Sequence, residues 1–258
     1  MCRVFSGDSP ARLSDGQTKE IQPEMDEQYG TPALPSADAQ LARQTFLASV
    51  FGWMFLGLAL TAGIAAWVAS STDMIQWFED HQLAFFLGLI AQLGLVIGIS
   101  AGINKISYSA AVFMFALYAA LNGFLFSILL SVYTTSSIAG AFAVTAGMFG
   151  SMAAYGYITK RDLSGMGSIL FMGLIGLLIA MVVNMFWANS TLYWFVTFGG
   201  VLLFCALTAY DMQKIKAIGE SGISGESAKK ATILGALSLY LDFINLFLFM
   251  LRIFGSAR

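Results

Sequence analysis

A chain of 258 residues that is 58% hydrophobic and 11% charged, with a mean hydropathy of +0.75, lies outside the range of soluble domains. A formal net charge of −2 gives no basic surface for nucleic acid, and two distant cysteines, Cys2 in a polar tail and Cys205 in an apolar run, exclude a disulfide framework or a Cys/His metal site. Charge is confined between apolar runs of about 20 residues, the length that crosses a bilayer core, and such runs must be helical in lipid to satisfy their own backbone groups.

Residues 1–42 form a polar tail whose first forty residues hold seven acids and all four prolines, Pro10, Pro23, Pro32 and Pro35. Lacking hydrophobic periodicity, this tail is expected to be disordered. It precedes a membrane domain over 43–258. The apolar run that follows the tail is too long for a cleaved signal and has no convincing cleavage pattern, so the first helix is read as a retained anchor. Seven spans are predicted at 46–69, 83–103, 108–132, 137–158, 166–187, 191–211 and 231–254. None contains proline. Span two carries Gly94, Gly98 and Gly102, a small-residue ridge read as a site of tight helix packing. His81, in the loop before it, is read as a solvated residue.

Loop charge sets the expected orientation. Arg3, Arg12, Lys19 and Arg43 precede span one, Lys105 follows span two, and Lys160 and Arg161 follow span four. Lys214, Lys216, Lys229 and Lys230 lie between spans six and seven, whereas the loops of opposite parity hold no Lys or Arg. The N-terminus is therefore expected in the cytoplasm. Seven crossings put the C-terminus outside, yet Arg252 and Arg258 lie there against the rule, which leaves open whether span seven crosses completely.

Two acids fall within the spans. Asp211 closes span six in "CALTAYDMQKIK", where Lys214 and Lys216 also allow a plain helix-end role. Asp242 is deep in span seven, and Ser238 and Asn245, at i−4 and i+3, complete a polar stripe on the same helix face. A carboxylate in the membrane costs at least about 2.5 kcal/mol on insertion scales and normally faces the protein interior or a wet cavity. If the antiparallel spans bring the two acids together, they cannot both ionise cheaply, and they share a proton and titrate as a unit. Ionised, they offer a weak, transient station for a hard cation such as Ca²⁺, with too few oxygens for a tight site. Asp211 looks shallower than Asp242 on straight helices, so a tilt is needed to bring them level.

The segments "ALTAYDMQKIK" (206–216) and "ALSLYLDFINLFLFMLRIFG" (236–255) closely resemble the last two spans of the Bax-inhibitor family, also called the transmembrane Bax inhibitor motif family. "FGWMFLGLALTAGIAAWVA" (51–69) and "ISYSAAVFMFALYAALNGFLFS" (106–127) support the resemblance, which covers residues 43 to 255. It implies an all-α membrane protein of seven transmembrane helices, the last one central and wrapped by the other six. Bacterial relatives resemble a pH-sensitive calcium leak channel of the inner membrane, with Asp211 and Asp242 matching its two-acid sensor. Many of those relatives carry arginine at the cytoplasmic end of span two, able to pair with the span-six aspartate. This chain has Gly102 and Lys105 there, so Lys105 is the latch candidate, a point charge without arginine's bidentate fork.

Other readings fare less well. An intramembrane aspartyl protease also uses two aspartates, but its Gly-x-Gly-Asp motif is absent, since Leu239, Tyr240 and Leu241 precede Asp242. A retinal protein needs a lysine within a span, and there is none. The alternative is a non-conducting regulator: relatives of this family are associated with restraining cell death and with binding membrane proteases. The expected partners are the lipid bilayer, Ca²⁺ and protons, with no cofactor and a monomeric chain.

Overall fold

The computed structural model describes residues 37–256. The acidic tail expected over 1–42 therefore lies, up to residue 36, outside the described residues, as does Arg258. Eight α-helices and one short 3₁₀ turn are found among the described residues, with no strand. They are α1 (Ala37–Ala69), α2 (Thr72–Asp80), α3 (Gln82–Gly102), α4 (Tyr108–Val132), α5 (Thr135–Ile158), α6 (Gly167–Trp187), α7 (Ser190–Glu220) and α8 (Gly225–Phe254). Seven are long and apolar enough to cross a membrane. The eighth, α2, is the short outlier, an amphipathic helix in the segment between spans one and two, where the sequence predicts a loop around His81. His81 caps it and stacks on Trp77, ring centroids 4.7 Å apart.

Helix boundaries differ from expectation where polar side chains find partners. α7 runs nine residues past its predicted end at 211, because Met212 and Ile215 are buried and Gln213 is engaged on both sides of its amide. Its Oε1 accepts from the Leu163 amide at 2.7 Å, and its Nε2 donates to the Arg161 carbonyl at 2.8 Å. Between α7 and α8 only four residues remain. Gly222 within that turn and Gly225 at the start of α8 have φ of +71° and +65°, a left-handed conformation that L side chains rarely adopt.

The last helix is the centre. Seventy-two per cent of its most apolar window is buried, against 6% for α6 and 11% for α3. Lipid tails are as apolar as leucine, so helices associate here through packing and hydrogen bonds rather than through a hydrophobic driving force. α8 supplies both. Phe243 packs edge-on against Phe142 and Phe149, with centroids at 5.3 and 5.5 Å, and Phe247 meets Phe126 and Phe142 at 6.4 Å. Close helix approach depends on glycine elsewhere. A Cβ at Gly123 would lie 2.6 Å from the Thr61 carbonyl oxygen, and one at Gly156 would run into the Ala209 backbone.

The predicted ridge on span two behaves otherwise. Gly98 faces the end of Met114, but a Cβ at Gly94 would meet nothing within 4 Å and one at Gly102 would touch only Ile106. Tight packing is thus made by glycines outside the GxxxGxxxG run, because α3 sits at the periphery and turns that ridge largely outward.

Contacts at the helix ends show how far α8 runs along the bundle. Ser256 donates its amide to the Ser137 hydroxyl at 3.0 Å and accepts from the Thr134 amide at 3.1 Å, so α8 ends beside the α4–α5 turn. Arg252 lies over the Tyr193 ring near the α6–α7 turn, 5.8 Å from its centroid. At the opposite end, Arg43, Tyr157, Lys216 and Glu220 meet one another, and Lys229 lies over Tyr108. α8 therefore traverses the full length of the bundle, from the basic end to the end that holds Arg252.

Gly156→Val is expected to lower the thermal stability of the detergent-solubilised protein, at a cost of the order of 1–3 kcal/mol for overpacking. Gly150→Ala on the same helix, where the added methyl meets nothing within 4 Å, is expected to be neutral or slightly stabilising. Equal melting temperatures for the two variants would contradict this packing.

Candidate functional site

α7 and α8 are antiparallel neighbours, and their facing sides hold the two acids. Asp242 is 4% exposed and Asp211 half-buried. Ser238, on α8, is the side chain whose hydroxyl acts on the Asp211 carboxylate. Asp242 follows one turn later on α8, about 6 Å deeper at 1.5 Å per residue, still close enough to feel the Asp211 charge. Cys205, on α7, is half-buried and within range of the Asp242 charge. The arrangement is a column, Asp211 at the shallow end, Ser238 beside it and Asp242 below. The difference in depth expected from straight helices thus persists.

The remaining predicted residues go to different places. Asn245 donates to the carbonyl of Leu241 at 2.8 Å, so its amide serves its own helix rather than Asp242. Lys105 is exposed in the turn between α3 and α4, and among the described residues no ion pair joins it to Asp211. The cation whose charge acts on Asp211 is Lys214, one turn further along α7.

Asp242 has one further property. Its Oδ2 is buried and has no hydrogen-bond partner among the described residues. Buried polar atoms are nearly always paired, and each exception calls for an explanation. The neighbouring side chains on α8, Phe243 and Leu241, supply none.

A second buried polar group went unnoticed in the sequence. Tyr240, fully buried two residues before Asp242, shares a 2.6 Å hydrogen bond with Thr61 of α1. Thr61 also reaches the carbonyl oxygens of Gly57 at 3.0 Å and Ala119 at 2.9 Å, tying α1 and α4 to the central helix. The edges of Phe115 and Tyr118 close on the Tyr240 ring, each at 5.8 Å. The available signal was the tyrosine itself: a hydroxyl in mid-span needs a partner when buried.

The fold and the site together define a polytopic seven-helix membrane protein that keeps a carboxylate dry in its central last helix, next to a second on the adjoining helix. Comparison with known proteins makes the class specific. The profile of the family described as "Inhibitor of apoptosis-promoting Bax1" matches residues 43–258. The inner membrane protein YbhL of Escherichia coli K12 is 51% identical over 218 residues, covering 83% of this chain and 93% of that protein. A protein of Deinococcus radiodurans is 45% identical over 215 residues, with 83% and 91% covered. YrjE of Lactococcus lactis is 38% identical over 220 residues, with 82% and 91% covered. The chain belongs to the Bax inhibitor-1 family.

Loss of the bond between Tyr240 and Thr61 is expected to be felt as a unit. Tyr240→Phe and Thr61→Val should each destabilise the protein by about 1 kcal/mol. The double variant should cost clearly less than the sum. Strict additivity in thermal or denaturant unfolding would show that the two side chains do not act together.

Proposed function

We propose that this protein is a pH-sensitive leak channel for cations, calcium among them, in which Asp211 and Asp242 form the sensor and the gate. One observation carries the reading: the Asp242 carboxylate is buried in the central helix with an unpartnered oxygen, and the charge that acts on it is that of Asp211. A carboxylate placed only to stabilise the fold would have its oxygens paired.

Two carboxyl groups so placed resist ionising together, so they share protons and titrate as one unit. Ionising both sets α7 against α8 by like-charge repulsion across the helix pair that ends in the four-residue turn. The same oxygens then offer a hard cation a short-lived station. Among the described residues no three His, Cys, Asp or Glu side chains gather into a site, which suits passage rather than residence. Ser238, able to donate to Asp211 or rotate away, is the polar step between the two levels.

The proposed setting is a bacterial inner membrane, with the chain acting as a monomer, without enzymatic activity and without a cofactor. The name of the Escherichia coli relative supports the location. Gathering of the basic loops at one end supports a cytoplasmic N-terminus.

The test is calcium flux into dye-loaded liposomes containing the purified protein. The wild type should leak with a steep pH dependence. Asp211→Asn and Asp242→Asn should each flatten the profile, because a single carboxylate beside an amide has no like-charge partner. A flat wild-type trace, unchanged in Asp242→Asn, would sink the channel reading and favour a non-conducting regulator that works by binding a membrane protease or another membrane protein.

A further inference from the structure

A cleft of about 470 Å³ opens between α1 and α5 in the basic half of the bundle. Its deep wall is Met212 and Phe243, which α7 and α8 contribute, and its α1 side is Phe51 and Phe55. On α5 its edge is Ala146, Gly150 and Ala154, small and exposed at successive turns, so nothing on that helix fills the gap. Phe55, 60% exposed, stands at the opening. From Ala146 to Tyr157 the cleft extends about 16 Å along α5 at 1.5 Å per residue. That is about half of the ~30 Å hydrocarbon core, the depth of one leaflet.

The mouth of the cleft is charged. Tyr157 lines its basic end, and two cations converge on that ring, Arg43 at 5.8 Å and Lys216 at 5.3 Å from the centroid. Glu220 offsets one of them through a 2.7 Å ion pair with Arg43. Donors are left over: of the three Lys216 N–H groups one donates to the Tyr157 carbonyl, at 2.9 Å. An apolar slot of one-leaflet depth that ends in surplus cationic donors has the chemistry of one kind of molecule.

We propose that this cleft is a binding site for an anionic phospholipid, one acyl chain lying between α1 and α5 and the phosphate held by Arg43 and Lys216. The charge complementarity decides the occupant. A zwitterionic lipid would gain the slot but little from the two cations, whereas phosphatidylglycerol gains both. Since Phe243 forms the wall beside Met212 of α7, and Asp242 precedes it on α8, an occupied cleft braces the central helix where it meets α7. Lipid type thereby becomes a means of setting how readily α8 shifts.

Two variants separate this site from ordinary annular lipid. Arg43→Gln with Lys216→Gln removes the charge at the mouth. Gly150→Leu fills the slot without crowding at its Cβ, which would meet nothing within 4 Å, and leucine favours helix over glycine. The experiment is native mass spectrometry of the full chain released from detergent containing equal phosphatidylglycerol and phosphatidylcholine, with melting temperature checked for each variant. The wild type should keep one phosphatidylglycerol in preference to phosphatidylcholine by about tenfold. The double charge variant should lose that preference, and Gly150→Leu should lose the bound lipid while melting no lower than wild type. Equal retention of the two lipids by the wild type would overturn the proposal. So would a preference that survives removal of both cations, or a Gly150→Leu protein that still carries one phosphatidylglycerol.

Discussion

A carboxylate in the middle of a bilayer costs at least about 2.5 kcal/mol even on insertion scales, and Asp242 stands in mid-helix on a segment otherwise made for lipid. The cost disappears only when other helices enclose the residue, and enclosing it means placing α8 in the centre. The burial pattern follows: Leu239, Tyr240, Phe243, Leu246 and Met250 are buried with Asp242, while the outward faces of α3 and α6 carry exposed leucine, isoleucine and phenylalanine. A central helix of phenylalanines needs space in its neighbours. Gly200 supplies it where the Phe249 ring packs, as Gly57 does where Phe115 and Tyr240 meet.

The polar groups of the core fall into two sets. Thr61 and Tyr240 satisfy each other and bind α1 and α4 to the centre. Thr145, Thr197 and Thr208 each donate to a carbonyl one turn back on their own helix, which leaves nothing unpaired. Asp242 departs from this pattern with its unpartnered oxygen. The core is therefore well satisfied where Tyr240 meets Thr61 and carries an unpaired oxygen at Asp242. A central helix held this way has one point fixed and one sensitive to charge.

The basic end of the bundle makes a related point about α1. Arg43, which in the sequence counts only towards loop charge ahead of span one, joins α1 to both Glu220 of α7 and Tyr157 of α5. The helix that carries Thr61 is thereby pinned at its basic end and again at Tyr240. Between those two points it stands off α5 far enough to leave the cleft. Packing is loose along that line because small α5 residues face a helix already held elsewhere.

Seven spans, their approximate limits, the family and the two intramembrane acids were all legible in the amino-acid sequence. Each depends on properties that a linear string states directly: apolar length, the position of rare charges and a long motif. Helix ends were less legible, since α7 continues past Asp211 on contacts with residues some fifty positions away, such as Leu163 and Arg161. The sequence by itself determined that Asp242 had to be enclosed, because no membrane helix can leave a carboxylate in lipid. Only the tertiary structure decided what encloses it: that the Ser238 hydroxyl acts on the other acid while Asn245 bonds its own helix, that among the described residues no ion pair joins Lys105 to Asp211, and that α8 runs the full length of the bundle. Those outcomes depend on the rotation and depth of one helix against another, which are fixed by side chains far apart in the chain and have no periodic signature.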